Sequence, residues 1–223
     1  MHPSEVPPQF AEAPFRFAAA LHSIQATHLR PGIELEEIPA PIRTAPYAVA
    51  IEGAVTSPDA ADDANAFGRY IVLYDPDGQP GWQGEFRVVT VVKADLDQEL
   101  ANDPMLADIA WSWVVEALHG IPVRCLGGTV TQLNSASFGE LDDDEHKDHS
   151  TLEIRASWTP PDDQLGKHLN AWANVLATAA GLAPALSEVA PDAEVARSAR
   201  QVTPINSHVG SHRRNHVGIS VLT

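Results

Sequence analysis

An α+β fold in one domain, built on an antiparallel sheet, is what three observations predict. Alternating or β-branched stretches and stretches of helical period succeed one another without a long linker. Their order is helix, three or four strands, helix, two strands, helix. Turn chemistry separates successive strands, most clearly at Asp75-Pro76-Asp77-Gly78, so that neighbours run back on one another. Four of the five tryptophans, Trp111, Trp113, Trp158 and Trp172, fall in a single strand–helix–strand–helix stretch and mark it as packing.

Pro14 suits the first turn of a helix, where its missing N–H costs nothing. Phe10, Phe17, Leu21 and Ile24 repeat at helical spacing, and Pro31 sets the expected stop near Arg30. Residues 33–38 alternate and run into Pro39-Ala40-Pro41, which limits them to a short edge strand. Tyr47–Val55 and Arg69–Tyr74 read as strands on either side of an acidic loop over Ser57–Ala66. Trp82–Lys93 reads as the longest strand.

The stretch Asp103–Gly120 is apolar around most of a helical wheel, with only Asp108, Ser112, Glu116 and His119 as a polar strip. Such a helix is expected to be covered on two sides. If Ile109 and Trp113 face the sheet, Trp111 and Val115 need other cover, by the chain itself or by a second copy. Arg124–Leu133 and Thr151–Thr159 are expected to pair across the acidic loop Gly139–Ser150. The last helix, Asp162–Gly181, carries Leu165, Leu169, Trp172, Ala173, Leu176 and Ala180 on one face, with Gly181 as its cap. The domain is expected over residues 10–186. Residues 187–223 lose periodicity and read as a flexible or disordered tail.

Charge and composition exclude several classes. Fourteen Lys and Arg stand against 30 Asp and Glu, a net charge of −16. That balance opposes binding to nucleic acid or anionic lipid. A single cysteine, Cys125, excludes an internal disulfide framework. No apolar run approaches the ~20 residues of a membrane span, and the N-terminus does not read as a secretory signal. A soluble cytoplasmic protein, with no membrane or nucleic-acid partner, is the expectation.

No stretch carries recognisable chemistry. His208, His212 and His216 are spaced by four, as a metal-binding helix would require, but Gly210 and the missing apolar period argue for a solvated tail. His146 and His149 lie among contiguous acids without the turn glycine of a hard-cation loop. Cys125 precedes Gly127-Gly128 and reads as an inert thiol beside a bulge. Glu36 and Glu37, flanked by Arg30 and Arg43, are adjacent in a strand and point to opposite faces. No catalytic, cofactor-binding or metal residue is therefore assigned.

Six local motifs do carry a resemblance. Leu29-Arg30-Pro31, Leu35-Glu36-Glu37-Ile38-Pro39-Ala40-Pro41, Trp82-Gln83-Gly84, Ala110-Trp111-Ser112-Trp113, Leu126-Gly127-Gly128-Thr129-Val130 and Glu153-Ile154-Arg155-Ala156-Ser157-Trp158 resemble those of an uncharacterised actinobacterial family over about residues 14–186. That resemblance implies no activity and transfers no site residue. In acidity and element order the chain is also similar to the small dimeric chaperones that serve type III secretion.

Two functional expectations follow. One is a non-catalytic, homo-oligomeric protein-binding module, paired with itself and with another protein, its interface at Trp111 and Val115. The other is an enzyme or small-ligand binder with a pocket between sheet and helices, lined by Trp82, Trp111 and Arg155.

Overall fold

A computed structural model describes residues 14–41, 43–56, 64–96, 98–136, 138 and 149–182. Its elements are α1 (Phe15–Gln25), β1 (Ile33–Ile38), β2 (Tyr47–Thr56), β3 (Ala64–Tyr74), β4 (Phe86–Leu96), α2 (Gln98–Ala101), α3 (Leu106–Ala117), β5 (Arg124–Ser135), β6 (His149–Thr159) and α4 (Leu165–Ala179). The strands form one antiparallel sheet in the order β1-β2-β3-β4-β6-β5. The described residues form a single α+β domain. The expected tail and the two acidic loop tips lie outside the described residues.

All three longer helices cover the same face of this sheet. Alternation decides which side chains they meet: Phe86, Val88, Thr90, Val92 and Ala94 of β4 are buried, while the residues between them are not. Phe17 of α1 lies 5.7 Å from the Tyr47 ring and 5.8 Å from Tyr74, fixing α1 over one end of β2 and β3. α4 lies at the centre, against α1 on one side and α3 on the other.

Glycines admit the tryptophans. Gly53 and Gly68 pair directly across β2 and β3. A Cβ on Gly53 would lie 2.7 Å from Cη2 of Trp172, and one on Gly68 would lie 3.1 Å from its Cζ2. Two missing side chains thus make the notch that the indole fills. Gly128 does the same for Trp111, since its Cβ would come within 2.7 Å of Cζ3. Gly166 lets α4 approach α1 closely, and its N–H donates to Ser23 Oγ at 2.9 Å, satisfying one of the free amides of the first turn.

Several expectations are corrected. α1 ends at Gln25, not near Arg30. β3 begins at Ala64, inside the stretch expected to be loop, and β4 begins only at Phe86, leaving Trp82–Glu85 in the turn. β5 is longer, at 12 residues against 11. The short α2 was not foreseen.

The larger correction concerns the helices. α3 buries Leu106, Ala110 and Val114, with Leu118 just beyond it, so neither Ile109 nor Trp113 heads its inner line. It is α4 that is covered nearly all round, with ten buried residues. Four of these are Gly166, Ala171, Ala173 and Ala177, whose small size permits close neighbours on both flanks and contributes little apolar signal to a wheel. At the far end Gly181 takes φ +74°, and Leu182 N–H donates to the Ala177 carbonyl, the capping geometry expected there.

Candidate functional site

Trp82, Trp111 and Arg155 are not brought together. Trp82 sits in the β3–β4 turn, where its carbonyl accepts from Thr159 Oγ1 at 2.5 Å. Trp111 packs on the helix side of β5 over Gly128. The Arg155 side chain emerges from the opposite face, bonded to Glu153. Val115 is 48% exposed, while Trp111 is half-buried and already covered by this chain. The two residues expected to share an interface therefore differ in cover.

Between sheet and helices the packing is close. A void of about 10 Å³, bordered by Thr90, Val92, Val114, Trp158 and Trp172, is at the lower limit for one water. The buried His168 is part of this packing. Trp158 Nε1–H donates to its Nδ1 at 3.0 Å, so Nδ1 must be unprotonated. Burial lowers the His168 pKa to about 4, with Asp162 opposing and Lys167 adding to the shift. This imidazole is a neutral acceptor holding a tryptophan. Tyr70 is similar: burial raises its phenol, and the hydroxyl donates to the Leu165 carbonyl at 3.2 Å.

A larger cavity, about 660 Å³, opens at one end of the sheet beside the N-terminus of α1. Arg16, Asp77, Gln79, Glu85 and Arg124 line it. Arg16 bonds Glu85 and lies over the Phe86 ring, 5.6 Å from its centroid. Arg124 donates to the Gln83 carbonyl at 3.3 Å, and Gln83 takes a φ of 57° in a turn that contains Gly81 and Gly84. Cation and carboxylate balance in this cavity, with Arg16 and Arg124 against Asp77 and Glu85.

Beside it, Arg87 is held by neutral oxygens: Cys125 O at 3.1 Å, Thr159 Oγ1 at 3.2 Å and Ser157 Oγ at 2.6 Å. Burial lowers its pKa, although a guanidinium keeps its proton in proteins. Cys125 has φ 50° at the bulge that shifts register between Arg124 and Gly127, so Gly127 does border a bulge. His119 is exposed on the far side of the Gly120 turn.

The most distinctive surface is the sheet face that no described helix covers. Register lines up its side chains in rows across all six strands. One row reads Glu36, Glu52, Arg69, Val91, Arg155, Thr129 from β1 to β5. The row beside it reads Ile38, Ala50, Ile71, Val89, Ser157, Gly127. On the other side lies Glu34, Ala54, Phe67, Lys93, Glu153, Thr131. The centre is apolar, with Ile71, Val89 and Val91 half-buried and Phe67 46% exposed. The β1–β2 end is acidic. Toward β4, β6 and β5 stand Arg87, Lys93, Arg155 and Arg124. Three ion pairs of Lys or Arg lie on this face, Arg69–Glu52 at 2.9 Å, Lys93–Glu153 at 2.9 Å and Arg155–Glu153 at 2.5 Å. Hydrogen bonds from Arg155 and then Lys93 hold the Glu153 carboxyl below its usual range.

Sequence reading missed these rows because the cations looked scattered. The available signal was alternation within strands, Arg87-Val89-Val91-Lys93 and Glu153-Arg155-Ser157, which puts each set on one face. Only cross-strand register joins the sets. As for the other candidates, Glu36 is exposed on this face while Glu37 points to the helix side, and His149 Nε2 lies 4.0 Å from Asp95 Oδ1. His146 and the three tail histidines lie outside the described residues. Among the described residues no group of three or more His, Cys, Asp or Glu could hold a metal ion, and no helix is long and apolar enough to cross a membrane.

Neither the curated proteins nor the solved structures hold a significant match to this chain. The model of one family, described as protein of unknown function (DUF3000), matches residues 13–190. That span covers the whole described sheet and all its helices, so the chain belongs to the DUF3000 family.

Proposed function

We propose that the chain is a non-catalytic, cytoplasmic protein-binding module of the adaptor or chaperone kind, working as a homo-oligomer through its helix-free sheet face. The observation that carries this reading is the arrangement of that face, with an apolar centre between an acidic and a basic end. Faces of this composition suit a protein partner, since apolar contact supplies affinity and complementary charge supplies orientation. The close packing between sheet and helices supports the same reading, because little room remains there for a substrate. The actinobacterial motifs and the acidic, membrane-span-free sequence belong to it as well.

The alternative, an enzyme or small-ligand binder, is favoured by the polar cavity of about 660 Å³ at the sheet end rather than by any space under the helices. A photo-crosslinking residue placed at Val89, on the helix-free face, and another at Lys167, exposed on α4, separate the two in cell extract. Cross-linking to polypeptide at Val89 and none at Lys167 is expected. Equal labelling at both positions, or none at Val89, would remove the basis for a binding face.

A further inference from the structure

We propose that the helix-free face is self-complementary and that its occupant is a second copy of this chain, docked face to face about a twofold axis parallel to the strands between β3 and β4. The inference rests on the protein-binding reading above and names its first partner.

Two copies of a chain at −16 repel one another, so association needs locally opposed charges. Arg69, Arg87, Lys93, Arg124 and Arg155 supply them: five of the nine Lys and Arg among the described residues stand on this one face. Four of them stand on β4, β6 and β5 with Asp95 and Glu153, while Glu34, Glu36 and Glu52 stand on β1 and β2 with Arg69 beside them on β3, which leaves the two halves with opposite net charge. A twofold operation reverses the order of strands, laying β1 and β2 of one copy over β5 and β6 of the other. Acidic end then meets basic end twice, as an isologous contact demands. A face of one sign throughout could not do this.

The same operation aligns the rows. Glu52 of one copy comes opposite Arg155 of the other, Ile71 opposite Val89, Arg69 opposite Val91 and Phe67 opposite Lys93, so the apolar centre is covered by apolar side chains and by the stems of the central cations. Six strands ~4.8 Å apart and five side-chain rows ~7 Å apart span roughly 25 by 30 Å. That is about 750 Å² per copy, less the part around Ala50 and Leu73 that the chain itself already buries, against the ~800 Å² that each partner of a standard interface buries.

Within one copy, Glu52 on β2 and Arg155 on β6 are three strands apart, about 14 Å at the usual strand spacing, too far for contact. Coupling between them can therefore arise only across an interface. Sedimentation velocity on the purified full chain, over roughly 1–100 µM, reads it. The wild type is expected to dimerise. Glu52→Arg alone and Arg155→Glu alone should each raise the dimer dissociation constant at least about tenfold, and the double exchange should restore it to within about threefold. Circular dichroism confirms that each variant is folded. Ile71→Arg should give a folded monomer, and Val115→Glu on α3 should leave the dimer intact.

A monomeric wild type at 100 µM would overturn the proposal, and protected amides on the face of such a monomer would assign the cover to the chain's own remaining residues. A dimer indifferent to the exchange yet broken by Val115→Glu would also overturn it and move the interface to α3. A monomeric wild type that still cross-links to another protein at Val89 would sink self-pairing, and with it the homo-oligomeric part of the proposed function, while leaving protein binding through this face standing.

Discussion

The two faces of the sheet are cut from the same strands, one residue out of step, and they are stabilised in opposite ways. On the helix side Val49, Ile51, Tyr70, Val72, Val88 and Val92 are buried, and two glycines stand where Trp172 needs room. On the other side Glu52, Arg69, Lys93, Glu153 and Arg155 are held at the surface by one another, around a small apolar centre. Shape complementarity limits substitution on the first face. On the second, charge placement matters and shape hardly does. A close-packed interior tolerates neither added nor missing atoms, whereas exposed ion pairs contribute little to folding and are available for recognition.

The largest predicted effects therefore fall on the helix face. Trp172→Ala should cost about 3–5 kcal/mol of unfolding free energy, since it empties the centre of the core. Gly68→Ala should cost about 1–3 kcal/mol, because its new Cβ would meet both the Val91 carbonyl oxygen and the Trp172 ring. Chemical denaturation at fixed protein concentration measures both. A neutral Gly68→Ala would mean that Trp172 can shift freely, and the contrast between the faces would weaken.

Next in size is the pH dependence of His168. Its pKa is about 4 in the folded chain and near 6.5 unfolded. Above pH 6.5 both states are neutral, and the group contributes no slope. As pH falls from 6.5 to 4 the unfolded chain takes up a proton that the folded chain refuses, so stability falls, by about 3 kcal/mol in all. Below 4 the slope vanishes. His168→Asn keeps an acceptor for Trp158 Nε1–H near the position of Nδ1 and cannot titrate. The difference between wild type and this variant should shrink or grow only between pH 6.5 and 4. A difference independent of pH would show that His168 titrates alike in the folded and unfolded chain, so that burial does not hold it neutral.

How much of this was legible in the sequence follows the same division. The class, the strand order along the chain and the Gly181 cap were readable, because alternation, period and turn residues are local. The wide apolar wheel over 106–118 misled. It put α3 in the doubly covered place that α4 holds, because a helix packed through Gly166, Ala171, Ala173 and Ala177 shows a weaker apolar signal than one edged by tryptophan. His168 looked polar, and only its tertiary partner Trp158 makes it a core residue. The charge rows were invisible for a different reason. Glu52 and Arg69 are 17 positions apart, and Arg155 is 86 further along; no local pattern reports that strand register sets the three in one row across the sheet.

The smallest predicted effect tests the exposed face directly. Glu153 is held by Lys93 and Arg155, and its carboxyl pKa is lowered by those hydrogen bonds. Its stabilising contribution is present above the unfolded carboxylate pKa, near 4.3, and is lost as pH falls through the lower folded value. Because Lys93 and Arg155 are themselves largely exposed, solvent screening keeps that contribution below about 1 kcal/mol. Glu153→Gln should therefore lower stability only slightly at pH 7 and less at pH 3, and added salt should erase the difference. Denaturant midpoints at two pH values and two salt concentrations measure this. A loss of several kcal/mol in dilute protein would place Glu153 in the interior. A loss that rises with protein concentration would place it against a second copy, where the same two hydrogen bonds leave water on association and their removal is felt more strongly.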